Sequence, residues 1–170
     1  MTFARTWTRP SRRRDLGAVG EHRIQLQWSF GDAPFTYESY SRNHQVSFKG
    51  GVTVTVSAAA HYRGAPDLPD PEDLLVASLS SCHMLSFLAI CARKRIRVES
   101  YRDDAVGFLE NDAPRGQKEK RWMRRVILRP HVVFAQAPDP QVLAQLHHLA
   151  HEDCYIANSV KTDVQVDPVP

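Results

Sequence analysis

Cys82 and Cys154 lie far apart in this 170-residue chain, and each stands where a thiol could do chemistry. Cys82 sits in the apolar run Leu74-Leu75-Val76-Ala77-Ser78-Leu79-Ser80-Ser81-Cys82-His83, with Glu72 ten positions before it. Cys154 ends Leu149-Ala150-His151-Glu152-Asp153-Cys154, just ahead of a polar loop. A thiol on an apolar helix with an upstream acid, and a second thiol closing a later helix, suit two-step redox chemistry. One sulfur would be oxidised and the other would resolve it.

Position constrains each thiol. Cys82 falls too deep in its helix for the N-terminal dipole to act on it, because that effect fades after the first turn. In apolar surroundings alone it would be inert, so a working thiolate needs a cation facing it. Cys91 follows nine residues later, which at about 100° per residue turns it to the opposite face as core filler. Cys154, at a helix end, is expected to have the mobility that a resolving thiol needs.

A competing chemistry uses the same segment. His147, His151 and Cys154 fall at i, i+4 and i+7, one helical face, and could ligate zinc with His148 or His83 as a fourth donor. Two of the three would then have to point away from the apolar stripe of Leu146, Leu149 and Ala150. No glycine-rich phosphate loop, no Gly-x-Ser-x-Gly elbow and no Cys-x-x-Cys pair is present. Nucleotide cofactors, a serine hydrolase and dithiol-motif chemistry therefore lack support.

The elements that must carry these residues are legible in the pattern. Ile24, Leu26 and Trp28 alternate with polar residues as a half-buried strand, and a second run follows through Phe35, Tyr37 and Tyr40. Gln45 to Phe48, Lys49-Gly50-Gly51 and Val52 to Ala60 read as a hairpin with a glycine turn. Asp70 as cap and Pro71 in first position open a helix that runs to about Ile96 and turns basic at Arg93-Lys94-Arg95. Val98 to Leu109 and Arg125 to Phe134 read as two strands joined by the charged loop Asn111 to Arg121. Asp139-Pro140 opens a second helix with Val142, Leu143, Leu146 and Leu149 at helical spacing, ending near Cys154. Thr162 to Val166 closes as a short strand. Segregated strands and helices of this order predict an α+β fold.

Bulk properties set the frame. A hydrophobic share of 42% and a charged share of 24% suit one globular domain with a real core. The net charge of +3 owes much to Arg5, Arg9, Arg12, Arg13 and Arg14. Residues 1–21 read as a disordered arginine-rich arm rather than a signal peptide or membrane span, and no aromatic platform accompanies the arginines for nucleic-acid binding. Three cysteines and no secretory signal point to a reducing, cytoplasmic setting.

Pro71-Glu72, Leu74-Leu75, small residues and then Cys82 resemble the first-cysteine motif of the OsmC/Ohr family. Ala150-His151, Cys154 and Asn158-Ser159 resemble that family's second-cysteine motif. The resemblance spans roughly residues 22–167, within a domain covering 22–170. It implies an OsmC-like fold: antiparallel sheets wrapped around two central helices in an intertwined homodimer, with active sites at the subunit interface. It implies an oxidative-stress enzyme that reduces organic hydroperoxides without metal or cofactor, using an external thiol reductant. Cys82 matches the peroxidatic cysteine, Cys154 the resolving one, and Glu72 the family's glutamate. Arg42, in Tyr40-Ser41-Arg42-Asn43-His44, is the placed candidate for the activating arginine. Tyr155 stands where the family often has proline, and Arg42 lacks the glycine flanks of the Ohr branch. A non-catalytic relative that binds an apolar ligand or senses peroxide would share these features.

One distance resists that assignment. Glu72 and Cys82 would lie about 15 Å apart along an unbroken helix, too far for one arginine to touch both. Either the helix breaks near Ser78 to Ser81 or Glu72 has another role.

Overall fold

The computed structural model describes residues 20–32, 34–111 and 120–169. The arginine arm, apart from its last two residues, and most of the Asn111–Arg121 loop lie outside them.

Strands β1 (Gln25–Gln27), β2 (His44–Ser47) and β3 (Thr53–Val56) form one antiparallel sheet in that order. Leu26, Val46 and Val54 stand in one row across it. The β2–β3 turn is a single 3-10 turn, Lys49–Gly51, in which Gly50 and Gly51 hold φ of 77° and 81°. That region is costly for any residue with a Cβ, which is why the hairpin turns at glycines.

The expected second run through Phe35, Tyr37 and Tyr40 is not a strand. Backbone hydrogen bonds from Ser39 N and Tyr40 N to Thr36 O coil it into turns. Local side-chain hydrogen bonding between Thr36 and Ser39 competes successfully with a ladder there.

Helix α1 (Pro71–Arg93) runs 23 residues without a break. Asp70 Oδ1 accepts from Asp73 N at 2.9 Å, and Asp73 Oδ2 accepts from Asp70 N at 3.2 Å, a reciprocal cap that fixes the helix start. Helix α2 (Pro140–Glu152) starts at Pro140, and the Asp139 carboxylate caps it one way, accepting from Gln141 N at 2.8 Å.

Two further strands are in fact four: β4 (Val98–Asp103), β5 (Val106–Asn111), β6 (Arg121–Leu128) and β7 (Pro130–Phe134). Each expected strand breaks where chain direction must change sheets. Asp103 accepts from Ser80 Oγ and from Arg129 N, so one carboxylate ties both breaks to α1. Pro130 has no N–H to continue a ladder and opens β7 instead. β4 pairs with β7 antiparallel, β5 with β6 antiparallel, and β8 (Asp163–Val166) joins β6 in parallel. That parallel pair is the exception to an otherwise antiparallel expectation.

α1 is the axis of the core. Phe87, Ile90 and Cys91 pack with Leu146 and Ala150 of α2, while Leu79 packs with Val126 and Leu128 of β6. At Gly107 an added Cβ would come within 2.6 Å of Val76, so glycine lets β5 approach the helix. Only five of the 23 α1 residues are buried, a small share for so apolar a helix. Its length and composition would also suit a membrane span. Here it is held between α2 and the sheets.

Candidate functional site

The two thiols singled out by sequence meet. Cys82 is half-buried on α1, and Cys154, just beyond the end of α2, is 1% exposed. The two thiols are close enough for Cys82 to act on the titration of Cys154. Burial first, and then the Cys82 thiol, push the Cys154 thiol up to about 11, against the opposing pull of the Ala157 N–H, which donates to Cys154 Sγ at 3.4 Å. Cys154 therefore keeps its proton at neutral pH. The expectation of a mobile Cys154 gives way to a sealed one, on the same side of the fold as the sulfur it would attack.

Cys91 is core, as its helical phase predicts. It is 1% exposed among Phe87, Ile90, Leu146 and Ala150, and burial raises its thiol pKa.

Arg42 and Glu72 are not brought to the thiols within one chain. The Arg42 guanidinium lies 3.8 Å from the Tyr40 ring centroid and 5.2 Å from that of Tyr37. Its N–H groups donate to the carbonyls of both tyrosines. The expected Arg42–Glu72 pairing is absent among the described residues, because ring faces and carbonyls occupy the guanidinium instead. Glu72 is half-buried in the first turn of α1. The helix does not break at Ser78 to Ser81; Ser78 Oγ simply donates back to Leu75 O at 2.8 Å. The separation of Glu72 from Cys82 thus stays at about 15 Å. Arg42 and Pro71, the residue before Glu72, line one open cavity of 510 Å³ with Trp28, Phe35 and Tyr40.

A buried histidine pair lies beside the thiols, and sequence reasoning did not find it as a pair. His83 Nε2 and His147 Nδ1 are 3.2 Å apart, with rings 4° from parallel and centroids 5.5 Å apart. Burial, chiefly, holds both near a pKa of about 4, so both are neutral and share one proton across the bond. His147 is thereby turned to α1 and away from a ligand set with Cys154. His148 pairs with Glu152 on the surface at 3.5 Å. Among the described residues no three His, Cys, Asp or Glu side chains gather as a metal site. The pairing was hidden because the two rings are 64 residues apart in the chain.

The family model described as OsmC-like protein matches residues 64–169. An OsmC-like protein of unknown function from Vibrio cholerae shares 43% identity with a TM-score of 0.80, over 89% of this chain and 100% of that one. A structure from Legionella pneumophila, described as an organic hydroperoxide resistance protein OsmC, shares 18% identity with a TM-score of 0.66, over 90% and 99%. The organic hydroperoxide resistance protein OhrB of Bacillus subtilis shares 16% with a TM-score of 0.62, over 89% and 100%. At those last two identities the likeness is one of fold. No curated protein sequence matches the chain.

Proposed function

Because this chain belongs to the OsmC-like family, we propose that it is a thiol-dependent peroxidase for organic hydroperoxides, with Cys82 peroxidatic and Cys154 resolving. The observation that carries the reading is the approach of the two thiols to each other across the α1–α2 junction, Cys154 sealed and Cys82 half-buried. Two cysteines from distant segments, one half-open and one sealed behind it, are the arrangement that a two-step thiol reaction needs.

The chemistry balances on these groups. The Cys82 thiolate attacks the terminal oxygen of ROOH; an S–O bond forms, the O–O bond breaks and RO⁻ leaves, taking a proton to become an alcohol. Cys82 is then a sulfenic acid. The Cys154 sulfur attacks it, water departs and a disulfide remains. An external dithiol returns the two electrons by exchange. Because Cys154 keeps its own proton, it does not compete as a thiolate before Cys82 is oxidised.

The cation belongs to a second copy. Exposed Asp73, Ala77, Ser81, Leu85 and Ala89 recur every fourth residue on α1, a stripe of mostly small side chains that a second helix can approach closely. Ala77 is midway between Glu72 and Cys82. Two α1 helices crossing antiparallel there would set Glu72 of the partner subunit level with Cys82. The cavity with Arg42 adjoins Pro71 and travels with it. The site is then complete only in the homodimer, and the 15 Å separation within one chain ceases to be an obstacle. Leu85 at 60% exposure and Leu26 at 58% are apolar surface that such a dimer would cover. Arg42 would hold negative charge on the attacking sulfur and on the departing oxygen.

Three free thiols fit a reducing, cytoplasmic compartment. The deciding measurement is consumption of an alkyl hydroperoxide with a dithiol reductant. Turnover well above that of hydrogen peroxide is expected, and no turnover of any hydroperoxide would remove the reading.

A further inference from the structure

Helix α1 closes in a turn that glycine usually occupies. Arg95 N donates to Ala92 O at 3.0 Å and Ile96 N to Cys91 O at 2.9 Å, the bond pair of a Schellman end. Such a turn needs one left-handed residue, and Arg95 fills it with φ of 59°. A Cβ is strained there, where glycine would be free. The side chain kept at this cost is exposed, and its guanidinium has no partner among the described residues. It lines a hollow of 360 Å³ together with Arg97, Ala92, Leu88, Ile96 and Cys91. Leu88, Ile96 and Val98 pack against the core cluster that holds Cys91, so the floor of the hollow is apolar and backed by the core. Arg97 pairs with Glu99 at 2.9 Å, which leaves Arg95 as the uncompensated charge among the residues that line it.

We propose that this hollow binds a monocarboxylate with an apolar body, its carboxylate on Arg95 and its body over Leu88 and Ile96. A guanidinium presents a fork of donors that matches a carboxylate bidentately. Arg95 and Arg97 less Glu99 leave one net positive charge, which suits a singly charged head better than a phosphate carrying nearly two. The volume lies at the small end of the range of about 300–1,000 Å³ typical of small-molecule sites. The site is separate from the thiols. Arg95 follows Cys82 by thirteen residues, about 20 Å along the helix axis. The proposal therefore stands whether or not the chain is a peroxidase. Strain held at a binding residue is a familiar exchange of stability for function.

The test is calorimetry on the full chain with octanoate, octanol and octyl phosphate. Wild type should bind octanoate saturably, and octanol roughly tenfold more weakly for want of charge-assisted bonds. Octyl phosphate should bind no better than octanoate. Arg95→Gly should weaken octanoate roughly tenfold or more, yet unfold at higher denaturant, because glycine relieves the left-handed strain. Ala92→Leu adds bulk at the hollow without touching a charge, and should weaken octanoate and octanol alike. Equal octanoate binding by wild type and either variant would overturn the proposal. So would a preference for octyl phosphate, or stronger binding to phosphatidylglycerol vesicles than to free octanoate, which would assign the arginines to a lipid surface. Absence of saturable binding, as when a second copy covers the hollow, rejects it and leaves Arg95 to serve only the C-terminal dipole of α1.

Discussion

His83 Nε2 and His147 Nδ1, 3.2 Å apart, bolt α1 to α2 one residue after Cys82 and seven before Cys154. The bond forms with both rings nearly out of water, at 0% and 4% exposure. His83 Nδ1 and His147 Nε2 have no partner among the described residues. A buried polar pair with orphan nitrogens tolerates no extra charge. The junction that holds the two thiols near each other is therefore acid-sensitive.

The sign follows from linkage. Both histidines fall from an ordinary 6.5 to about 4 in the folded chain. The unfolded chain thus binds protons first as pH drops, and stability declines below pH 6.5 and levels off below about 4. Each group contributes a slope of at most about 1.4 kcal/mol per pH unit inside that window. Denaturant melts between pH 7 and 4 should show the decline, and the His83→Leu/His147→Leu double variant should flatten it. Parallel curves for both proteins would refute the role of the pair.

Cys82→Ser should abolish hydroperoxide turnover, and Cys91→Ser should retain most of it. The Cys91→Ser chain should be less stable by about 1–3 kcal/mol, since a hydroxyl replaces a thiol in an apolar cluster. Steady-state assays and melts on the two variants check this. Equal loss of activity from both would sink the assignment of Cys82.

One equivalent of organic hydroperoxide should link Cys82 to Cys154 within a chain, because the fold already brings the two thiols together. Peptide mapping reads the bond. A free Cys154 after oxidation, or a link to Cys91, would remove the resolving role.

Chains carrying Cys82→Ser and chains carrying Arg42→Ala should each be inactive alone and regain part of the wild-type activity when co-assembled. In the mixed dimer, the intact Cys82 of one chain faces the intact Arg42 of the other. Persistent inactivity in a verified mixed dimer would return Arg42 to its own chain or exclude it. A 19.3 kDa particle by light scattering at micromolar concentration would contradict the shared site altogether.

Arg42→Ala should slow alkylation of Cys82 at neutral pH, and Arg42→Lys should restore only part of the rate. Lysine keeps the charge but loses the planar group that stacks on Tyr40 and bonds two carbonyls. An Arg42→Ala pH profile that overlays wild type would show that another cation serves Cys82.

The sequence by itself determined whatever depends on neighbours along the chain. Asp70, Pro71 and Asp73 set the start of α1, Gly50 and Gly51 set a hairpin turn, and helical phase sent Cys91 to the core. Two motifs marked Cys82 and Cys154 as a pair and pointed to the family that the comparisons show. Short-range pattern failed at Phe35 to Tyr40, where turn hydrogen bonds won over alternation, and at Asp103 and Arg129, where the strands change sheets to meet one carboxylate. Tertiary structure alone decided the rest, because it depends on which distant surfaces become adjacent. It sealed Cys154 on the same side of the fold as Cys82, locked His147 onto His83, and stacked Arg42 on Tyr40 rather than on Glu72. It also kept α1 straight, so that Glu72 and Cys82 cannot share an arginine within one chain. Periodicity gives the direction in which each residue points; only packing decides what it meets there.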